Sequence, residues 1–387
     1  LEVFAPKAVT SLRWNGAKVV AKATASGSLL AEKPLAGPAA ITLPDLAKLD
    51  WKTATGSPEA DPKFDDSSWM KTEGRRSAST VRGPTGQPAL DMSTYGFHNG
   101  DVWYRGRYQG RADIDTMTLH YGAGGAGMLQ VWLDGKFLGQ HELDGGLPRP
   151  ITTGVATFQI PAELRGTGEH LLSVMVRNNG HNWDLDADDF HKEARGLVSA
   201  SLSGPGTYSF AVPIAWKIQG NKGGEDIADP VRGSLNNGGQ YGEREGWHLP
   251  GFPDSAWTKA DMAATQPHAG TTWYRTSFDL ALPKDHDVSL GLTIGDPDKP
   301  RSPNKRYRVL IFVNGWNMGQ FIAHVGPQRT FVLPTGIIDP RGKNTLALAV
   351  TSDGAPGDAL EAVKLVNLRA VRGGLPVARV PAPDFKP

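Results

Sequence analysis

Apolar and polar positions alternate over short distances along most of this chain, and turn residues separate the alternating runs. The segment 171–176 is apolar on both faces of an extended strand, as a strand in the middle of a β-sandwich must be. Trp103 and Arg105 would share one face of their strand, while Tyr104 takes the other. A helical period is present only briefly, near 161–164. The pattern therefore predicts an all-β protein built from short strands.

Tight turns are indicated wherever an Asn-Gly or Asp-Gly pair separates two apolar runs. The Asp-Gly pair at 134–135 and the Asn-Gly pair at 314–315 both lie in such a place. These dipeptides are the strongest short-range signal for a β-hairpin, because the turn needs positive φ angles. A third pair, at 15–16, predicts a small N-terminal hairpin over 11–20.

An internal repeat is the most informative feature of the sequence. Four segments recur in the same order: 64–69 as 252–257, 103–108 as 273–278, 131–140 as 311–320, and 168–176 as 342–350. The repeat predicts two copies of one domain, and the strand pattern predicts two antiparallel jelly-roll β-sandwiches in tandem. Tryptophans that recur in both copies are expected to be largely buried, and these are Trp69, Trp103, Trp257 and Trp273.

The repeat also places the domains along the chain. We expect the first jelly roll at 48–207 and the second at 208–373, followed by a C-terminal tail at 374–387. Residues 1–47 are expected to be the end of a preceding small β-domain with a linker, since a hairpin alone is only marginally stable. The chain starts at Leu1 without an initiator Met or a signal peptide, so we expect a fragment or a processed piece.

Composition agrees with this interpretation and removes several classes of function. The 387 residues exceed one ordinary domain, and 47 glycines with 29 prolines supply the many turns of an all-β fold. The 41 basic and 40 acidic residues are interspersed, so nothing indicates nucleic acid or an anionic membrane as partner. The absence of cysteine excludes disulfides, thiolate catalysis and Cys-ligated zinc. No apolar stretch reaches the length of about 18 residues that a transmembrane helix needs.

Longer stretches of the sequence resemble glycoside hydrolase family 35, the acid β-galactosidases. One of them, 95–106, reads Tyr-Gly-Phe-His-Asn-Gly-Asp-Val-Trp-Tyr-Arg-Gly. The others are 177–182, 191–196, 241–247 and 311–316. The similarity covers essentially the whole chain, from the hairpin at Trp14 to the region of Arg372, in the order that the family shows.

The resemblance implies a position inside a larger, secreted enzyme. Proteins of this family begin with a (β/α)8 barrel that holds two catalytic glutamates, and their last two domains are jelly rolls related to galactose-binding domains. The chain matches the end of the third domain and both of these galactose-binding-domain-like jelly rolls. The barrel is expected to be missing here and to be the partner of this chain, so the resemblance assigns it no catalytic residue.

A carboxylate pair could still be imagined to cleave a glycoside within this chain. Retaining cleavage needs two carboxyl groups about 5 Å apart that face one sugar. Glu243 and Glu245 have the spacing to share one face of an extended strand. Because charged side chains are usually exposed, we expect a solvated loop instead and assign no catalytic role.

An acidic run at 184–189 is the candidate metal site. Its carboxylates alternate at Asp184, Asp186 and Asp188. Ca²⁺ prefers several oxygen ligands, which such a loop can supply, although the glycine and distal glutamate of an EF-hand are lacking. A solvated or arginine-paired loop, a contact with the barrel, and a zinc site that uses His181 and His191 remain alternatives. No other cofactor is expected.

Candidate sugar-binding residues are tryptophans with polar neighbours, since a sugar offers an apolar face and a rim of hydroxyl groups. The candidates are His181, Asn182, Trp183, Trp247, Asn314 and Trp316. The alternative for each tryptophan is packing in the core or against a neighbouring domain, as large aromatic residues usually do. We expect Trp183 or Trp316 to be more exposed than the recurring tryptophans.

Three hypotheses for function follow from the sequence. The first is a scaffold of two jelly rolls that stabilises the β-galactosidase barrel and contacts carbohydrate. The second is a free-standing, lectin-like module that binds galactosides. The third is a proteolytic product that stays attached to its barrel.

Overall fold

The computed structural model of the chain is almost entirely β-structured, which confirms the predicted fold class. The structure describes residues 1–6, 9–14, 16–35, 40–77, 86–145, 152–180, 193–205, 209–210, 212–221, 238–373, 377–381 and 384–386. The N-terminal strands are β1 (Glu2–Val3), β2 (Leu12–Trp14), β3 (Ala17–Val19), β4 (Ala21–Ala23) and β5 (Leu29–Ala31). They form a small sheet of order β1-β5-β4 and a hairpin of β2 with β3.

The next part of the chain supplies most of the first jelly roll. Its strands are β6 (Trp51–Thr55), β7 (Met70–Lys71), β8 (Asn99–Gln109), β9 (Thr116–Gly122), β10 (Met128–Leu133), β11 (Lys136–Glu142), β12 (Thr153–Gln159), β13 (Glu169–Asn178), β14 (Gly196–Ser203), β15 (Ser209–Phe210) and β16 (Ala215–Asn221). Short 3₁₀ helices lie at Leu46–Lys48, Pro58–Ala60, Met92–Tyr95 and Ala162–Leu164. A six-stranded sheet of order β11-β10-β13-β8-β16-β7 packs on a four-stranded sheet of order β12-β9-β14-β15.

The second jelly roll repeats this plan. It begins with a one-turn helix, α1 (Tyr241–Arg244). Its strands are β17 (Thr258–Ala260), β18 (Ala269–Asp279), β19 (His286–Ile294), β20 (Arg308–Val313), β21 (Trp316–Ile322), β22 (Thr330–Leu333), β23 (Lys343–Asp353) and β24 (Val363–Arg372). The larger sheet has the order β17-β6-β18-β23-β20-β21 and the smaller one the order β22-β19-β24.

Each sandwich has its own apolar core, because alternate residues of its two sheets point between them. Val131 and Val174 belong to the buried cluster of the first jelly roll. Ile311 and Leu348, the matching residues of the repeated segments, belong to the buried cluster of the second. The repeat in the sequence is therefore a repeat in structure, as predicted.

The two jelly rolls exchange one strand each. β6 precedes the first repeat but pairs with β18 in the second jelly roll, where Lys52 lies opposite Arg275. β16 precedes the second repeat but pairs with β8 in the first jelly roll, where Lys217 lies opposite Arg105. Both strands carry a Trp-Lys pair in the same place, so each completes the sheet of the other copy with equivalent residues.

The exchange corrects the domain boundaries expected at 48 and 208. A first jelly roll over 48–207 would contain β6 and lack β16, whereas the structure has the reverse arrangement. Trp51 accordingly lies in the second core and Trp216 in the first. Local sequence could not reveal this, because an apolar strand fits either sheet and its partner is chosen by contacts that are distant along the chain.

The hairpin turns predicted at 134–135 and 314–315 are both present. Asp134 has a φ of 51° and Asn314 a φ of 49°, and a glycine with positive φ follows each of them. The side chains also tie the turns to the neighbouring strand. Asp134 accepts a hydrogen bond from the N–H of Leu171 at 2.8 Å, and Asn314 accepts one from the N–H of Thr345 at 2.8 Å.

The larger sheets of the two jelly rolls lie against each other through a contact region that we call the seam. Its polar residues are Glu59, Asp101, Gln130, Glu142 and Arg177 on the first side and Glu243, Arg308, Thr351 and Ser352 on the second. Gln130 donates a hydrogen bond across it to the carbonyl oxygen of Ser352 at 2.7 Å. The recurring Trp69, Trp103 and Trp273 are buried, as predicted, while Trp257 is half-buried.

Candidate functional sites

Several predicted site residues lie outside the residues that the structure describes. These are His181, Asn182, Trp183, Asp184, Asp186 and Asp188. Within the described part of the chain, no group of three or more His, Cys, Asp or Glu side chains is placed to hold a metal ion. The calcium site and the sugar platform of that loop therefore stay predictions.

Trp247 is part of an aromatic cluster on the larger sheet of the second jelly roll, separate from the core of that sandwich. Its ring meets Trp257 edge-on at 4.9 Å and Trp273 at 5.9 Å between ring centroids. Tyr241 contacts it from another side at 5.5 Å. Edge-to-face packing of this kind stabilises a protein core. The geometry thus gives Trp247 a packing role, and its proposed contact with sugar stays a prediction.

Asn314 is held by the fold on all its polar atoms. Besides accepting from Thr345, its amide donates to the carbonyl oxygen of Ile337 at 2.9 Å and to the side-chain oxygen of Asn344 at 2.8 Å. Trp316, on β21, is only half-buried, as expected for the less enclosed tryptophans. Its indole N–H has no hydrogen-bond partner among the described residues. Among the described residues, the pocket that Asn314 lines includes neither Trp247 nor Trp316.

A polar pocket of about 380 Å³ lies beside Asn314. We call it the Arg275 pocket; its walls include Asp254, Arg275, Ser277, Asn314, Lys343 and Thr345. Of these residues, only Asn314 was among the candidates predicted from the sequence, because those candidates were tryptophans and their polar neighbours. The useful signal was the set of positions at which the two repeats differ, where Ser277 stands for Arg107 and Thr345 for Leu171.

A larger pocket, of about 570 Å³, opens at one end of the second sandwich. Leu290 and Leu333 form part of its floor, while His286 and Arg372 stand among its polar residues. The corresponding end of the first sandwich, around Ile160, has no free space for water. The two copies therefore differ in how their ends are closed.

The centre of the seam is a buried ion pair. Arg177 donates two hydrogen bonds to the carboxylate of Asp101, at 2.7 and 2.8 Å, and both residues are 2% exposed. The same guanidinium donates to the hydroxyl of Thr351 in the second jelly roll at 3.0 Å. A paired geometry of this kind offsets the cost of removing two charges from water. The ion pair itself lies within the first jelly roll, and the hydrogen bond from Arg177 to Thr351 connects it to the second.

Glu243 is buried in the seam, so the expected solvated position is wrong for this residue. It lies in helix α1 and is 8% exposed, whereas Glu245 is exposed as expected. Burial, together with the negative charge of Asp101, raises the pKa of Glu243 to about 8. Burial likewise raises the pKa of Glu59 to about 7, although Arg244 forms an ion pair with it. The energetic cost of a charge in this low-dielectric region is the physical reason.

Glu142 has the opposite environment at another part of the seam. It lies 2.9 Å from Nε2 of His324 and 3.3 Å from Nη2 of Arg308, both in the second jelly roll. Burial by itself would raise the pKa of Glu142, but the hydrogen bond from His324 and the charge of Arg308 outweigh it and hold the value at about 2. The carboxylate is therefore charged and links the two domains.

The buried carboxyl groups do not form a hydrolytic site. A glycosidase acid needs a raised pKa and also direct access to the glycosidic oxygen. Glu59 and Glu243 have the first property, but they are 0% and 8% exposed and lie in the seam. The buried carboxyl groups of the seam therefore serve the contact between the two jelly rolls.

These features define a tandem jelly-roll module in which exchanged strands and a buried polar seam join two copies of one fold. The family model described as the β-galactosidase second all-β domain matches residues 64–182 and again residues 241–355, together more than half of the chain. The chain belongs to this family. The double match also confirms the internal repeat and the predicted likeness to the non-catalytic domains of β-galactosidases.

Curated relatives show the same likeness over most of the chain. Probable β-galactosidase C of Neosartorya fischeri is 35% identical over 368 residues, which are 95% of this chain and 36% of that protein. β-Galactosidase A of Aspergillus niger is 36% identical over 349 residues, with 89% and 33% covered. Probable β-galactosidase C of Penicillium rubens is 36% identical over 380 residues, with 97% and 36% covered.

Two further facts bound the interpretation. The chain spans only about a third of the length of the curated relatives that it matches. None of the helices in the described residues has the length and apolar character that crossing a membrane would require.

Proposed function

We propose that this chain is the jelly-roll region of a secreted β-galactosidase of glycoside hydrolase family 35 and that it scaffolds a catalytic barrel located elsewhere in that enzyme. The whole enzyme would hydrolyse terminal β-galactosides. The observation that carries the proposal is the match to relatives named β-galactosidase over 89–97% of this chain but only about a third of their own length. The burial of Glu59 and Glu243, which are 0% and 8% exposed, supports a non-catalytic role for this region.

The exchanged strands support a scaffolding role. Separation of the two jelly rolls would require β6 to leave β18 and β16 to leave β8, with loss of the backbone hydrogen bonds of both pairings. The charged contacts of the seam would be lost at the same time. The two jelly rolls therefore behave as one rigid unit. A rigid support keeps a neighbouring active site in its productive geometry.

The N-terminal sheets offer a surface for the rest of the enzyme. Among the described residues, Leu46 is the first apolar side chain that is buried, so the strands before it have no core of their own. Phe4 is 75% exposed, Val20 is 67% exposed, and Trp14 lines a groove of about 320 Å³. Exposed apolar residues that share a groove, as Trp14 and Val20 do, mark interaction sites. We include in the proposal that the remainder of the enzyme packs on this surface.

The activity experiment has two parts. The purified chain alone should release no nitrophenol from p-nitrophenyl β-D-galactoside above background, because its buried glutamates cannot reach a substrate. In the full-length enzyme, Phe4→Asp with Val20→Asp should lower the free energy of unfolding by about 1–3 kcal/mol, since charges would enter the contact surface. Val332→Asp is the matched control, because Val332 is 62% exposed on the smaller sheet of the second jelly roll.

Two results would contradict the proposal. One is turnover by the isolated chain that Glu243→Gln or Glu59→Gln abolishes. The other is an equal effect of the Val332→Asp control and of the N-terminal substitutions on the full-length enzyme.

A further inference from the structure

The two jelly rolls contain the same arginine–aspartate pair in two different settings. In the first, Nε of Arg105 donates to Asp66 at 2.8 Å. In the second, Nε of Arg275 donates to Asp254 at 2.8 Å. The aspartate side chain is 7% exposed in the first pair and 26% exposed in the second. Asp254 is therefore partly accessible from solvent, whereas the side chain of Arg275 is itself only 5% exposed.

The first pair is sealed by the segment that precedes it. The remaining guanidinium nitrogens of Arg105 donate to backbone carbonyl oxygens of Glu59, Asp61, Pro62 and Phe64. Arg107, one of the larger neighbouring side chains, adds a second contact to the carboxylate of Asp66 at 2.8 Å. All the nitrogens of this guanidinium are thus occupied.

The second pair has free hydrogen-bonding capacity. Nη1 of Arg275 donates to the carbonyl oxygen of Trp247 at 3.2 Å. Its Nη2 has no hydrogen-bond partner among the described residues. Arg275 is also one of the residues that line the pocket. A guanidinium carries five N–H donors, so those of Nη2 remain for a ligand that enters the pocket. The second copy therefore retains the arginine, but fewer backbone carbonyl oxygens accept hydrogen bonds from its guanidinium than in the first copy.

Two replacements create the space in front of this guanidinium. Ser277 stands where the first copy has Arg107, and Thr345 stands where it has Leu171. Both are pocket residues, and both exchange a large side chain for a small one that bears a hydroxyl. The equivalence of Thr345 and Leu171 is structural as well, because each donates its N–H to the side chain of the preceding hairpin turn. The pocket is therefore a specific feature of the second copy.

We propose that the Arg275 pocket binds one pyranose sugar, a function that does not depend on the proposed scaffolding role. Charged side chains of both signs line the pocket, namely Arg275, Lys343 and Arg379 with Asp254 and Asp384. Nearly balanced charge favours a neutral ligand over an ion. A sugar hydroxyl both donates and accepts, so vicinal hydroxyls fit adjacent guanidinium and carboxylate groups. A volume of about 380 Å³ lies in the range of pockets for small ligands.

The test uses isothermal titration calorimetry of the complete chain with methyl β-D-galactopyranoside and, separately, methyl β-D-glucopyranoside. At least one pyranoside should bind. Ser277→Arg, which restores the residue of the first copy, should weaken binding at least about tenfold, because the new side chain fills the pocket and pairs with Asp254. Thr345→Leu provides a second, independent filling variant that should also weaken binding. Val332→Arg, which adds the same charge on the distant smaller sheet, should leave affinity unchanged.

Three results would overturn the proposal. The first is that neither pyranoside binds to the unmodified chain. The second is that both filling variants bind as tightly as the unmodified chain. The third is that galacturonate or sulfate binds while the neutral pyranosides do not, which would make the pocket an anion site. Because no enzymatic activity enters this experiment, its failure leaves the scaffolding proposal standing, and the reverse also holds.

Discussion

The two jelly rolls share strand order, hairpin turns and buried tryptophans, yet they differ where their sandwiches end. Ile114 and Leu164 close the first sandwich without free space, whereas the matching end of the second opens into about 570 Å³ between residues such as His286 and Arg372. The Arg–Asp pairs repeat this contrast, since one is sealed and the other is open. Paired strands and filled cores tolerate few changes, whereas connecting segments tolerate many. Function in a duplicated fold is therefore best sought where the copies differ.

The exchanged strands provide the most severe test of this comparison. Trp51→Ala should destabilise the protein by about 3–5 kcal/mol, because a side chain that is 1% exposed leaves a cavity in a packed core. Since Trp51 lies in the second core, hydrogen exchange should speed up in β20 more than in β10. Trp216→Ala should have the opposite pattern. Amide exchange followed by mass spectrometry measures both.

The reverse pattern of exchange would show that each strand completes its own copy and that the jelly rolls are not exchanged. An equal increase in both copies would mean that they unfold as one unit. That second outcome would be consistent with the exchanged strands and would indicate that the seam makes the two jelly rolls unfold cooperatively.

The open and sealed Arg–Asp pairs should also differ in stability. Arg105→Ala should cost about 3–5 kcal/mol, because it leaves the buried carboxylate of Asp66 and several carbonyl oxygens without this donor. Arg275→Ala should cost less, about 1–2 kcal/mol, because water in the pocket can solvate Asp254. Denaturant unfolding measures both, and Lys48→Ala serves as an exposed control that should change nothing. Equal costs would remove the distinction between the copies.

The seam should make stability depend on pH. The pKa of Glu243 is about 8 in the folded protein against an ordinary value of 4.5, so the folded state holds this proton more tightly. Its contribution is full below pH 4.5 and is lost as the pH rises towards 8, by about 1 kcal/mol per pH unit. Glu59, with a pKa of about 7, acts in the same direction. Glu142, with its pKa of about 2, loses its contribution only below pH 4.5.

Glu243→Gln should flatten the loss of stability between pH 5 and 8, because the amide resembles the neutral acid. The matched control is Glu245→Gln, since Glu245 is exposed two residues away. Unfolding free energies measured over this pH range decide the matter. A slope that neither substitution changes would mean that Glu243 does not titrate in this window.

Much of the architecture follows from local sequence. The Asp-Gly and Asn-Gly turns, the strand patterns and the four repeated segments depend on neighbours close along the chain, and each reappears in the structure. The burial of Trp103 and Trp273 followed from their repetition in both copies. The periodicity of a strand and the φ of a turn are local properties, so the residues themselves record them.

Strand partners, buried charges and pockets depended on the tertiary structure. β6 and β16 have the same Trp-Lys pattern, and only long-range packing determines which sheet each one completes. Glu243 lies close enough to Asp101 and Arg177 of the first jelly roll for their charges to act on its pKa, and local sequence does not record that proximity. The Arg275 pocket depends on Ser277 and Thr345, which are 68 residues apart in number but adjacent in space. Sequence alone determined the two folds, and their contact determined which side chains solvent can reach.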